Sequence, residues 1–408
     1  MSLKIHKKGM MLCLIFLSLI ISSALENLMP SVRLFSYVDD IITLFLLFPS
    51  ISIILNKCHN HSFYLIVLLI LICIIGVASN IIAHIVTKPS YILQDMYSFL
   101  KMFIMYLGTY HILSEDRNRI NRLLKYLLTP AKVFILLSSV FGLLNLFGIV
   151  NMAEYIRYGF PTYSFVIGNA SQFGVFLGCC LAILIFSKKR TKIYEFLAIL
   201  TMILTMKGMS FILVGCYLGL NFYIHNRKKI RIWHFIILAL VLLYVLQYQI
   251  TGYLLDTAAP RAMLIKYGFI TANNNFPLGA GFGAYGSNIA AVHYSPLYSL
   301  YGFTSRASLI YGEKTALNDC YIGMIIGQFG YIGLICFLSI MAIIGKKLIN
   351  NSAIDYKSRN IAIASFICIC GMCVMAGSVK ANPGQLLFMI VAIYVADNER
   401  AADSIKIE

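Results

Sequence analysis

Charge is what this 408-residue chain has least of. Asp, Glu, Lys and Arg together make up 12% of it, while 60% of its residues are hydrophobic. A soluble domain of this length could not solvate its surface with so few ionic groups, so that class is excluded. Acids are scarcer still, 16 against 33 Lys and Arg, which leaves a formal charge of +17. A basic chain invites a nucleic-acid reading. Here, however, the positive residues stand in short tracts between apolar runs, the pattern of the positive-inside rule, and need no nucleic acid to explain them. Metal and disulfide signals are missing too. Ten of the 11 cysteines lie within or at the ends of apolar runs and Cys58 lies in a short loop, with no CxxC paired to a second Cys or His cluster. Cys368, Cys370 and Cys373 share one apolar segment and read as packing residues.

What is present is a succession of apolar runs, with a mean hydropathy of +0.82 over the chain. Runs of about 17–25 residues match the thickness of a bilayer core. The first covers Met10–Leu25 behind the basic Lys4–Lys8. It has the form of a signal peptide with Ser22-Ser23-Ala24 as a cleavage site, but reads better as an uncleaved first span, because many more apolar segments follow. Further spans are expected near 38–55, 62–86, 92–113, 131–150, 163–186, 193–206, 208–223, 232–250, 317–344, 361–379 and 383–396. The pair flanking Lys207 is short and divided only by Met206-Lys207-Gly208. The expected fold is therefore an all-α polytopic membrane protein of about 12 transmembrane helices with one long external loop. Residues 1–250 carry helices one to nine, 251–316 the loop, and 317–408 the last three helices and a tail.

Topology follows from the basic residues. With both termini in the cytoplasm, 23 Lys and Arg fall inside. Nine fall outside, namely Arg33, Lys88, Arg157, Lys207, Arg261, Lys266, Arg306, Lys314 and Lys380, and Lys101 lies within the fourth span. The loop then faces the periplasm or cell exterior. Ser114–Thr129 has amphipathic spacing, with Arg117, Arg119, Arg122 and Lys125 beside Ile120, Leu123, Leu124 and Leu127. It is expected to lie on the anionic inner leaflet.

The outer charges are few. Each alone reads as a snorkelling anchor. Arg157, Lys207, Arg261, Lys266 and Arg306 gathered around one loop read as an anion site, since guanidinium grips a phosphate fork. Pro260 suits a helix first turn, and the apolar residues of PRAMLIKYGFITA suit a helix on the membrane surface. Residues 251–316 hold seven Tyr, four Phe and eight Gly but only Asp256 and Glu313 as acids. Tyr offers a flat face and a hydroxyl suited to a sugar ring. The mid-loop group Tyr285, His293, Tyr294, Tyr298 and Tyr301 lies too far from any span boundary to be only an interfacial aromatic belt. PLGAGFGAYGS has GxGxxG-like spacing without a strand-turn-helix context, so a nucleotide reading carries no weight. No internal repeat marks two halves of the kind secondary carriers show.

Arg261 on a short helix, then Pro277-Leu278-Gly279-Ala280-Gly281-Phe282-Gly283, then Asn318-Asp319 ahead of Gly330 and Gly333, resembles the O-antigen polymerase (Wzy) and O-antigen ligase superfamily. Asp319 stands where a ligase would carry His, and with YSPLYSLYG in the loop the likeness is closer to the polymerase branch. Some polymerases carry Arg, ten residues, then Gly in two outer loops. Arg157 and Gly168 keep that spacing, whereas Arg261 is followed at that distance by Ala272. The resemblance implies a GT-C-like architecture in the bacterial cytoplasmic membrane. It also implies transfer of a growing glycan from undecaprenyl pyrophosphate to a lipid-linked repeat unit, with no metal, nucleotide or redox cofactor. Membrane lipids and a Wzz-like chain-length regulator are the implied partners. Arg261 would stabilise the leaving pyrophosphate with help from Arg157, Lys207 or Arg306, Lys266 would contribute to substrate binding, and Asp319 would be base or hydroxyl-orienting group. Asp319 equally fits a first-turn carboxylate favoured by the helix dipole, and His293 is a second base candidate. The alternatives are an O-antigen ligase and a lipid-linked oligosaccharide flippase.

Overall fold

The computed structural model describes residues 2–55, 60–114, 117–157, 159–188, 192–223, 259–306, 309–310, 316–349 and 355–407, with isolated positions at 236, 240, 247, 251–252 and 256. The span expected at 232–250, Cys58 and Lys314 fall outside these, apart from the isolated positions 236, 240 and 247.

The chain is an all-α membrane protein. Six helical stretches among the described residues are long and apolar enough to cross a membrane: Gly9–Leu28, Arg33–Ile51, His61–Ala83, Arg119–Leu146, Tyr321–Ile349 and Tyr356–Met375. They fall in α1 (Ser2–Leu28), a 3-10 turn at Arg33–Tyr37 running into α2 (Val38–Leu55), α3 (Asn60–Ala83), α5 (Arg117–Leu146), α12 (Tyr321–Ile349) and α13 (Tyr356–Met375). Large apolar side chains such as Phe48 and Phe222 point outward, 77% and 85% exposed, where lipid replaces water as their solvent. Between these run α4 (Pro89–Ser114), α6 (Ala170–Phe186), α7 (Lys192–Leu204), α8 (Gly208–Tyr223) and the long C-terminal α14 (Asn382–Ile407). Helices α4, α6 and α14 form the centre: Met102, Phe103, Phe173, Leu177, Leu387 and Phe388 are all buried.

Several boundaries depart from the sequence expectation. The segment expected to lie on the inner leaflet is instead the first half of α5, continuous with the span behind it across Pro130. Its apolar stripe, Ile120, Leu123, Leu124 and Leu127, is buried in the bundle, and Arg119 Nη1 donates to the Ile112 carbonyl at 2.8 Å. The span expected from 163 starts only at Ala170. A two-stranded antiparallel hairpin, β1 (Ala153–Arg157) and β2 (Phe160–Tyr163), precedes it. Gly168, at φ +73°, turns the chain, and Asn169 caps α6 by accepting from the Ser171 and Gln172 amides. The positive φ of Gly168 favours glycine, and a Cβ there would lie 2.0 Å from Asn27 Oδ1 and displace that side chain. Ser22 and Ser23 sit within α1, and both accept hydrogen bonds from Asn382 Nδ2. The first helix is thus tied into the bundle.

The long loop is built as a compact unit of α9 (Pro260–Asn274), α10 (Asn288–Val292) and α11 (Pro296–Leu300). Pro260 occupies the first turn of α9, as its fixed φ allows. The apolar residues of α9, expected to meet a membrane surface, pack along α12 instead. There Gly268 and Gly323 let the two backbones approach: a Cβ on either would come within 2.9 Å of the other helix's backbone.

Helix α12 is broken at Gly330 (φ 62°, ψ −156°). The break leaves the Gly327 and Gln328 carbonyls without helical partners, and Ala280 and Gly281 amides donate to them at 2.8 and 2.9 Å. Asn80 on α3 clasps Phe282 in both directions at 2.8–2.9 Å, and Asp95 on α4 accepts from the Gly283 amide at 2.6 Å and from Gln328 Nε2 at 2.7 Å. PLGAGFGAYGS is therefore an irregular segment held between three helices, with the amides of Ala280 to Gly283 answered by side chains or an unwound turn. Its glycines permit backbone contact, and a nucleotide has no room there.

Candidate functional site

A largely polar cavity of about 830 Å³ lies where the loop meets the helix ends. Its walls come from the end of α1, the start of α2, α4, the hairpin, the start of α6, the α7–α8 junction, Arg261 of α9, Asn318-Asp319 and the turn Met375–Asn382. Four residues singled out from the sequence converge here: Arg157, Lys207, Arg261 and Asp319.

The pairings explain how each is held. Arg261 lies in the first turn of α9 and Asp319 two residues ahead of α12, outside the first turn where its alternative reading as a helix-start carboxylate would put it, and the close packing of these helices brings Arg261 Nη2 to 3.3 Å from Asp319 Oδ2. Arg261 is 22% exposed at its side chain and Asp319 43%. An ion pair this wet contributes about 0–1 kcal/mol and is open to exchange. Lys207 sits in the short gap between α7 and α8, its Nζ 3.0 Å from Glu154 Oε2 and 4.5 Å from the centre of the Tyr155 ring. Arg157 Nη1 donates to the Met206 carbonyl at 3.3 Å, and Glu154 also accepts from the Ala170 amide at 3.0 Å. Hairpin, α6 and the α7–α8 junction are thereby locked together. Tyr163 anchors the hairpin beneath, donating to the Ser138 carbonyl at 2.8 Å.

Five cations (Lys101, Arg157, Lys207, Arg261 and Lys380) and five acids (Glu26, Asp39, Asp40, Glu154 and Asp319) line the cavity. The lining is formally neutral, so it is no diffuse sink for polyanions. Lys101, embedded by its sequence position, pairs with Asp39 at 2.9 Å and with Asp40. Asp95 does not reach it, being committed to Gly283 and Gln328.

The remaining candidates lie elsewhere. Tyr285 and Tyr298 are fully buried in the loop's own core, which corrects their reading as sugar-facing rings. Tyr285 donates to the Leu264 carbonyl at 2.8 Å, and the Tyr298 oxygen accepts from the Gly286 amide at 2.8 Å. Burial pushes both phenols well above their usual range. Tyr294 packs edge-on to Tyr298 at 5.4 Å, and Tyr301 stacks on Tyr267 at 4.8 Å. His293 is stacked on Tyr91 at 3.5 Å. Lys266, exposed, lies over the Tyr267 ring, and Arg306 is exposed; neither lines the cavity. The rings that do line it are Phe35, Tyr37 and Tyr155. Sequence reasoning missed these, together with Glu26, Asp39, Asp40, Glu154 and Lys380. The signal was available: in a chain with only 16 acids, four stand at the loop-side ends of early apolar runs.

No protein-family model matches this chain, and neither does any curated protein compared with it.

Proposed function

We propose that the chain is a polysaccharide polymerase. It transfers a growing glycan from undecaprenyl pyrophosphate to a lipid-linked repeat unit of O-antigen or capsule at the outer face of the bacterial cytoplasmic membrane. About twelve spans form a GT-C-like bundle with both termini in the cytoplasm and the loop outside. The observation that carries this reading is the Arg261–Asp319 pair, joined in one cavity with Arg157 and Lys207. A pyrophosphate entering there takes the Arg261 guanidinium from Asp319, which a fork-shaped donor favours. The carboxylate so released accepts the proton of the acceptor hydroxyl. The acceptor oxygen bonds to the anomeric carbon, the carbon–oxygen bond to pyrophosphate breaks, and the electron pair leaves on the pyrophosphate, stabilised by Arg261. The leaving group is already activated, so the reading requires no nucleotide or redox cofactor. A Wzz-like regulator would set chain length from outside this cavity.

Arg261→Ala tests the reading. Long-chain surface glycan disappears while single repeat units remain attached and the protein's abundance in the membrane is unchanged. Normal chain lengths would overturn it. Loss of every attached unit would point to ligation, and units stranded inside the cell to flipping.

A further inference from the structure

The cavity holds a cation that the proposed mechanism does not use. Lys380 lies on the turn Gly377–Lys380 between α13 and α14 and faces the cavity with Lys101, Asn382 and Asp319. Lys101, Lys207 and Arg261 are each tied to carboxylates. Among the described residues no carboxylate stands within ion-pair distance of Lys380. Its Nζ instead meets the Met324 thioether at 3.8 Å, a weak acceptor. The site is built around this side chain. Gln385 Nε2 donates to the Lys380 carbonyl at 3.1 Å and to Asp39 Oδ2 at 3.2 Å, and Asn382 ties the start of α14 to Ser22 and Ser23. Gly377 presses the same turn on the Asn318-Asp319 backbone, where a Cβ would lie 1.7 Å from the Asn318 oxygen. A rigid turn abutting Asp319 thus holds a lysine in the cavity wall with, among the described residues, no carboxylate at ion-pair distance. Desolvation holds its ammonium below the usual lysine range, outweighing the pull of Asp95, and Lys101 adds to the depression.

We propose that Lys380 is a phosphate-binding residue, anchoring the pyrophosphate of the lipid-linked substrate on the α13–α14 turn while Arg261 takes its other phosphate. The assignment rests on the polymerase reading for the identity of the anion, and on the cavity for its place. A cation without a contact ion-pair partner, next to a pair that must exchange partners, gives the entering anion its first hold before Arg261 is released. Such a residue is kept for binding at a cost to stability.

The test uses purified full-length protein in detergent, with thermal unfolding followed as inorganic pyrophosphate is titrated. Wild type is expected to be stabilised by pyrophosphate in a saturable manner. Lys380→Met, without ligand, unfolds at or above the wild-type temperature, yet needs about tenfold or more pyrophosphate for the same shift, the weight of one charged hydrogen bond. Lys380→Arg keeps the response. A Lys380→Met variant that responds like wild type overturns the anchor, as does a wild type that pyrophosphate does not stabilise. The glycan made in cells is scored separately. Pyrophosphate binding through Lys380 without polymerisation would sink the polymerase reading alone, and polymer formation with an unchanged Lys380→Met response would sink the anchor alone.

Discussion

Two ionic clusters stand at opposite ends of α14. At Asn382 the helix begins in the cavity, among Lys101, Lys207, Arg261, Lys380 and their acids. Seventeen residues on, roughly 26 Å at the helical rise, Glu399 accepts from Tyr110 Oη at 2.5 Å and from Lys347 Nζ at 2.6 Å, with His61 Nδ1 at 3.5 Å. The residue types are alike, but the second cluster closes on itself. Its carboxylate is shared by groups from α3, α4 and α12, and its charges join helix ends. In the first cluster the pairs are few-membered and spread around an open volume, and Lys380 has no ion-pair partner among the described residues. Charges that converge on one shared carboxylate fasten helix to helix; pairs arrayed around an open volume, the Arg261–Asp319 pair above all, are placed where a ligand could reach them.

Separate losses of activity and stability sharpen that contrast. Asp319→Asn should have the largest effect, lowering polymer formation by about 10²–10⁴-fold, the span of general-base catalysis. Its melting temperature should barely change, because the pair it breaks is half-exposed. Wild-type polymer would reduce Asp319 to a structural carboxylate. Glu399→Ala should do the reverse, destabilising by about 1–3 kcal/mol by stranding its donors, while the protein that remains folded polymerises at the wild-type rate per molecule. Equal loss of both properties would erase the distinction between the two ends. Gly330→Ala should cost a comparable or somewhat smaller amount of stability, since it forces a side chain into positive φ and to within 2.4 Å of the Leu278 backbone; membrane abundance and melting temperature read it out. Lys266→Gln and Arg306→Gln, both exposed and off the cavity wall, should leave polymer length within about twofold of wild type, as surface substitutions do. A strong defect in either would extend the site beyond the cavity.

Much of this was legible from residue order. Apolar runs announced the spans because a bilayer core demands a minimum length of hydrocarbon, a requirement local in sequence. The hydropathy of the chain could not show that α5 runs unbroken from Arg117, since its amphipathic stripe suits a leaflet and a bundle equally well. Nor could it separate Tyr285 and Tyr298 from sugar-binding rings, because a Tyr buried against a backbone partner and a Tyr on a wall have the same composition.

The sequence alone determined that this is a helical membrane protein, and it singled out Arg157, Lys207, Arg261, Lys266, Arg306 and Asp319 as charges needing a reason to be there, of which Lys266 and Arg306 lie off the cavity. Only the tertiary structure decided which charges meet. It set Arg261 against Asp319 through the glycine-lined packing of α9 on α12, buried Tyr285 and Tyr298, and placed Lys380 in the cavity wall with no ion-pair partner among the described residues. The reason is physical: insertion in a bilayer depends on neighbours along the chain, whereas an ion pair depends on side chains brought together from distant segments, and that is fixed by how the helices pack.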